Sequence, residues 1–216
     1  MHHFYKNNFR VALSTLSLIV FVFLLSIYLL NFGVENKSNA DDQSVSLTAS
    51  TATAMTFSTS AGGSVALGAI TPGNPVSAPA TGTIMSVTTN AANGYTIGVA
   101  DSIAASNSCL VSSGNYIPDY AGTIATPTTW SGTGLGITLY AADTTKEAKW
   151  GTGITYNDAN NKYAGVPQNS TIAHTVTGYH VSADTSSWAF KIDIPPAQAV
   201  GNYTGNVTFT ATAVLS

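Results

Sequence analysis

The chain predicts an all-β fold: an antiparallel two-sheet β-sandwich after an N-terminal apolar helix, with jelly-roll and immunoglobulin-like topologies both open. Three observations lead there. Valine, isoleucine, tyrosine and phenylalanine recur with period two from residue 44 onward, the spacing of strands with one buried face. Threonine occurs 29 times after residue 40, and its branched Cβ suits a pleated strand while its hydroxyl meets water. No stretch beyond residue 40 carries a convincing amphipathic helical pattern, and turn residues separate eight or nine strand-like segments, as a sandwich requires. No fixed-period repeat suggests a solenoid or propeller.

Residues 1–40 have a different grammar. His2, His3, Lys6 and Arg10 form a basic start, and residues 11–30 then run without a charge. Ser38 and Ala40 place small residues at −3 and −1 before Asp41-Asp42, the order read by export machinery and signal peptidase. The apolar run also matches the ~20 residues that span a bilayer. The segment is therefore a signal peptide cleaved after Ala40, or an N-terminal anchor that crosses the membrane through residues 11–30. Either way residues 41–216, a single domain, are expected outside the cytoplasm, extracellular or at the cell surface.

Along that domain, residues 44–58 read as a strand with Val45, Leu47, Met55 and Phe57 on one face. Gly62-Gly63 turns the chain, and Val65 and Leu67 begin a short strand stopped by Thr71-Pro72-Gly73-Asn74-Pro75. Residues 83–89 and 95–100 predict a hairpin around Asn90–Gly94. Residues 101–134 lose the pattern, as functional or mobile loops do. Leu135, Ile137 and Leu139 restore it; Ala141–Trp150 has room for one helical turn around Thr144–Glu147. A second hairpin is expected from Ile154/Tyr156 to Tyr163/Val166 around Asn157–Asn161. One strand is expected over 174–183, another with Trp188, Phe190, Ile192 and Ile194 on one face until Pro195-Pro196 ends it. The last runs from Tyr203 to Leu215, with Val207, Phe209, Ala211, Ala213 and Leu215 facing a core. It holds no Lys, Glu or Pro, the usual guards of an exposed edge. It is thus central in its sheet or made to pair with another chain, and the core-like odd positions favour central.

Composition excludes several functions. After residue 40, four lysines and no arginine stand against nine carboxylates, a formal charge of −5. Without a basic stripe or a guanidinium fork, nucleic acid is not the partner. Cys109, the single cysteine, is either a buried small hydrophobe or paired with another chain. His174 and His180 share a strand face but stand six residues apart, too far for one metal without a third element. No Gly-x-Ser-x-Gly and no paired carboxylates occur, so an enzyme is not expected, and neither is a metal or other cofactor. Asp158, Asn160 and Asn161 put three oxygen-bearing side chains in one turn, but without the glycine and distal glutamate of a helix–loop–helix calcium site. Lys191 and Asp193 point the same way and read as a solvated ion pair rather than a cross-link. The sequons at Asn169, Asn202 and Asn206 are what a Thr-rich chain contains by chance. Tyr116, Tyr120, Trp130 and Trp150 fall near loops and strand ends and form the candidate binding surface.

Two stretches carry a resemblance. The segment from Val87 to Ile97, with Asn90-Ala91-Ala92-Asn93-Gly94-Tyr95, resembles a hairpin of secreted bacterial surface proteins. The segment Ala199-Val200-Gly201-Asn202-Tyr203-Thr204-Gly205-Asn206-Val207-Thr208-Phe209-Thr210 resembles the closing strand of WxL-type cell-wall-binding domains, and its Gly-x-Tyr-Thr run is similar to the ending of spore-coat-U and fimbrial-subunit-like sandwiches. The Trp-x-Leu hallmark is missing, since Trp188 is followed by Ala189-Phe190. No Leu-Pro-x-Thr-Gly anchoring motif is present. The resemblance implies a non-enzymatic exported surface protein, wall-associated or adhesive, or a filament subunit that self-assembles by strand pairing. Its partners would be a cell-wall polymer, a surface glycan or another protein. The alternative is an extracellular carbohydrate-binding or hydrolase-accessory domain.

Overall fold

A computed structural model describes residues 16–27, 48, 51–60, 63–101 and 109–215. The chain divides into two units, residues 1–50 and 51–216. In the first, residues 16–27 are helical, with Leu16, Phe21 and Phe23 among the exposed side chains. Among the described residues no helix is long and apolar enough to cross a membrane. The remainder of the 11–30 run, the Ser38/Ala40 site and the start of the strand expected at 44 lie outside the described residues.

The second unit is all-β, and its strands pair antiparallel. Eleven strands are described: β1 Met55–Thr59, β2 Val76–Thr89, β3 Tyr95–Asp101, β4 Leu110–Ser112, β5 Asn115–Ile117, β6 Thr128–Thr129, β7 Gly134–Ala142, β8 Lys162–Gly165, β9 Thr171–Val176, β10 His180–Asp193 and β11 Val207–Ala213. They form a six-stranded sheet in the order β1-β2-β10-β7-β8-β6, a three-stranded sheet β11-β3-β9, and the small pair β4-β5. Met85 and Val87 from the large sheet share one core with Ile97, Val99 and Val176 from the smaller one. Trp150 and Trp188 meet edge to face at 5.6 Å within it, and Trp188 meets Phe209 at 5.4 Å.

Several expectations are corrected by strand partners. The hairpin expected between 83–89 and 95–100 is a passage between sheets. Both edges of β2 are occupied by β1 and β10, and both edges of β3 by β11 and β9. Met85, Val87, Tyr95, Ile97 and Val99 are all buried, which suits two strands facing each other across a core. Gly94 makes the corner at φ +83°, where a Cβ would lie 2.0 Å from the carbonyl oxygen of Val176. The chain can pass only with glycine there.

Val65 and Leu67 pack against the core from irregular backbone rather than from a strand, because Gly68 and Gly73 adopt positive φ and interrupt extension. The described part of the 101–134 stretch, residues 109–134, is more ordered than its pattern suggested. It holds β4, β5 and β6, with a turn at Ser113 (φ 46°) and Gly114 (φ 84°), the primed geometry of a tight hairpin. Cys109, Leu110, Ile117, Tyr120 and Ile124 are buried there. The helical turn expected near 144–147 appears as a 3-10 turn over Ala148–Trp150. The hairpin expected at 154–166 is replaced by β8 alone, paired with β7 and β6, while Ile154 is 76 % exposed. The strand expected over 174–183 is two strands in different sheets, broken at Gly178 (φ 92°), so His174 and His180 do not share a face.

The closing strand is seven residues long, not thirteen, and among the described residues it is an edge. Among the described residues β11 pairs with β3 and with no second strand. Its odd-numbered residues are half-buried and Thr208, Thr210 and Thr212 are exposed. The alternation was legible; the missing neighbour was not.

Candidate functional site

Beside β11 the core opens into a cavity of about 320 Å³. Phe57, Val65, Leu67, Phe190, Val207 and Phe209 line its apolar wall. Phe57 belongs to β1, the edge of the large sheet, and Val207 and Phe209 to the edge of the smaller one. The cavity therefore lies where each of two sheets ends. The backbone of β11 has a defined polarity at this edge. Val214 donates its N–H to the Gly94 carbonyl at 2.9 Å, and antiparallel bonding alternates from there. Residues 208, 210 and 212 are thus spent on β3, and Val207, Phe209, Ala211 and Ala213 turn N–H and C=O toward the free side. Among the described residues, β3 is the strand that pairs with β11.

The four candidate aromatics separate into three environments. Tyr120 and Trp130 come together, stacked at 4.5 Å between centroids and 10° between planes. Tyr120 is buried and its hydroxyl donates to the Thr129 carbonyl at 2.7 Å while accepting from the Ser131 N–H at 3.0 Å. Half-buried Trp130 also meets Tyr163 edge-on at 5.2 Å. The Lys191 ammonium lies 5.3 Å from the Trp130 and Tyr163 centroids, a cation–π arrangement, and burial pushes its pKa below the ordinary lysine value. Tyr116 is 55 % exposed on β5 and outside this stack. Trp150 is fully buried, its indole N–H donating to the Ala173 carbonyl at 3.2 Å. It is a core residue and offers no binding surface.

The residues weighed for chemistry are engaged structurally. Asp158 accepts the N–H groups of Ile154 and Asn160, and the Asn161 side-chain amide donates to the Thr155 carbonyl; the turn uses the Asp158 carboxylate and the Asn161 amide to hold its own backbone. Asp193 accepts from the Gly73 and Ile194 N–H groups, while Lys191 faces rings. His174 is buried and bonds Glu147 at 2.8 Å through Nδ1. Burial raises the pKa of Glu147, but the His174 bond and charge and the Thr175 N–H outweigh it and hold the carboxyl below its ordinary value. His180 meets Tyr95 edge-on at 6.1 Å. Tyr95 donates to Asp184 at 2.7 Å, and Thr144 donates to the other oxygen of that carboxylate at 2.7 Å.

Sequence reasoning missed a half-buried acidic group with a raised pKa. Asp119 follows β5, and burial together with the Asp101 charge pushes its carboxyl up to about 7 against bonds from the backbone of Cys109 and Val166. Cys109 is buried and its thiol is pushed up to about 12, first by burial and then by Asp119 and Asp101. Among the described residues no group of three His, Cys, Asp or Glu side chains is placed to hold a metal ion. No protein-family model, no curated protein and no solved structure matches this chain.

Proposed function

We propose that the chain is an exported, non-enzymatic cell-surface protein built as an antiparallel β-sandwich, wall-associated or adhesive, which joins other chains through the β11 edge. The observation that carries this reading is the apolar cavity beside that edge, lined by Phe57, Val207 and Phe209. Strand addition draws affinity from backbone bonds along an edge and specificity from pockets that take alternate side chains. β11 has both, and none of the charged or proline residues that discourage pairing. Export rests on the basic, apolar and small-residue order of residues 1–40. The immunoglobulin-like and jelly-roll variants of the sandwich remain alternatives within this proposal.

The Tyr120–Trp130 stack with Lys191 favours a second reading, a carbohydrate-binding or hydrolase-accessory domain, since aromatic faces with polar neighbours take sugar rings. Two measurements on the purified protein separate the readings: co-sedimentation with cell-wall preparations and binding to a glycan panel. Wall binding without glycan signal supports the surface role. Glycan binding abolished by Trp130→Ala, without wall retention, overturns it in favour of the second.

A further inference from the structure

We propose that the partner of β11 is β11 of a second copy, paired antiparallel about a two-fold axis at Thr210. The inference rests on the reading of β11 as a protein-joining edge and names its occupant and register. Two-fold pairing demands a strand complementary to itself. Centred on Thr210, it sets Val207 opposite Ala213, Thr208 opposite Thr212 and Phe209 opposite Ala211. All seven residues of the strand are then paired. On one face each large side chain meets a small one; on the other, threonines meet threonines, a pairing that sheets favour. No charge is present in β11 to oppose its own image. A register centred on Phe209 instead opposes two phenylalanines and leaves Ala213 beyond the strand.

Backbone polarity admits this arrangement and excludes an axis that falls between two residues. Val207, Phe209, Ala211 and Ala213 point their peptide groups to the free edge, as the Val214–Gly94 bond requires. In the Thr210 register those four residues oppose one another, giving on the order of eight hydrogen bonds over a strand about 24 Å long. Thr210 faces its copy across a non-bonded pair, where the Cα atoms approach to about 4.5 Å. The neighbour's Val207 and Phe209 fall on the face that opens to the cavity, so pairing continues the apolar surface across the axis. Because such an interface closes on itself, it makes a dimer and does not propagate a filament.

The test uses the full chain in detergent micelles with one cysteine added at an exposed position of β11 beside the buried Cys109, mild oxidation, and links mapped to residues by mass spectrometry. Thr210→Cys is expected to link to itself. Thr208→Cys alone and Thr212→Cys alone are not, since like positions then lie ~14 Å apart, beyond disulfide reach; their equimolar mixture is. Thr210→Lys is expected to weaken the dimer by about tenfold or more, read by light scattering, with a far-UV circular dichroism spectrum unchanged from the parent. Absence of a Thr210 link, equal self-linking at all three positions, or a dimer unaffected by Thr210→Lys overturns the proposal. Association through residues 11–30 would not produce this positional pattern. Loss of wall retention with the Thr210 link intact counts against the surface role alone.

Discussion

Replacing Asp119 by Asn removes a charge from a place that resists it. The Asp119 carboxyl sits between the backbone N–H groups of Cys109 and Val166 and the carboxylate of Asp101, and one of its oxygens is buried without a partner. Burial is the larger cause of its raised pKa and Asp101 the next. The fold therefore favours the protonated acid. A carboxyl whose folded pKa exceeds its unfolded one contributes stability that is complete below about 3.8 and is lost as pH rises through about 7. A rise from 3.8 to about 7 corresponds to a ceiling of ~4 kcal/mol. Asp119 retains some contact with solvent, which screens the charge, so about 2 kcal/mol is expected. Asn keeps an oxygen for the two backbone donors and puts an amide where the unpartnered oxygen lies. In urea denaturation at fixed pH, Asp119→Asn should be about 2 kcal/mol more stable than the parent at pH 8 and nearly equal to it at pH 4. Other titrating groups cancel in the difference. A gap that does not change with pH, or a variant less stable at pH 8, refutes the reasoning.

Three further outcomes follow from the same geometry. Trp150→Ala should cost about 3–5 kcal/mol in denaturant titration, because it empties a fully buried site between Trp188 and the Ala173 carbonyl. Glu147→Gln should lose about 1–3 kcal/mol at pH 7 by weakening the bonds to His174 and Thr175. Since the Glu147 pKa is depressed by folding, that deficit should shrink as pH falls through the folded value, measured by melting temperature from pH 7 to 3. Cys109 should resist an aromatic disulfide reagent at pH 8 in the native protein and react promptly in urea, because its thiol is buried and pushed up to about 12.

The legible parts of this fold are those where one strand carries the whole signal. Leu135, Ile137 and Leu139 marked β7, and Trp188, Phe190 and Ile192 marked β10, because three alternating large residues in each suffice to define a buried face. What alternation does not encode is the partner. The five residues 90–94 suit a hairpin, yet here they carry the chain from one sheet to the other; only the occupied edges of β2 and β3 distinguish the two. The same limit hid the edge position of β11, whose pattern is that of a strand with one apolar face in either place. Short strands such as β4 and β5 lie below the length at which a period can be read. Among the site residues, the Tyr120–Trp130 pair was within reach because both were suspected. Trp150 was misplaced because its loop-like neighbours conceal a side chain that turns inward, and the Lys191 contact depends on β10 and β8 meeting through β7.

The place of β10 in the large sheet has a consequence for how the molecule is made. Both of its neighbours, β2 and β7, precede it in the chain. Thr89 pairs with His180, so β2 must wait for about ninety residues of synthesis before that partner exists. At ~5–20 residues per second this is ~5–18 s. During that interval the β1–β2 pair has an unmet backbone edge and an apolar face carrying Met85 and Val87. The large sheet then closes by insertion of a single long strand between two earlier ones, so its assembly waits on one of the last segments of the chain to be made. The newborn chain is most exposed to wrong partners just before Trp188 and Phe190 emerge.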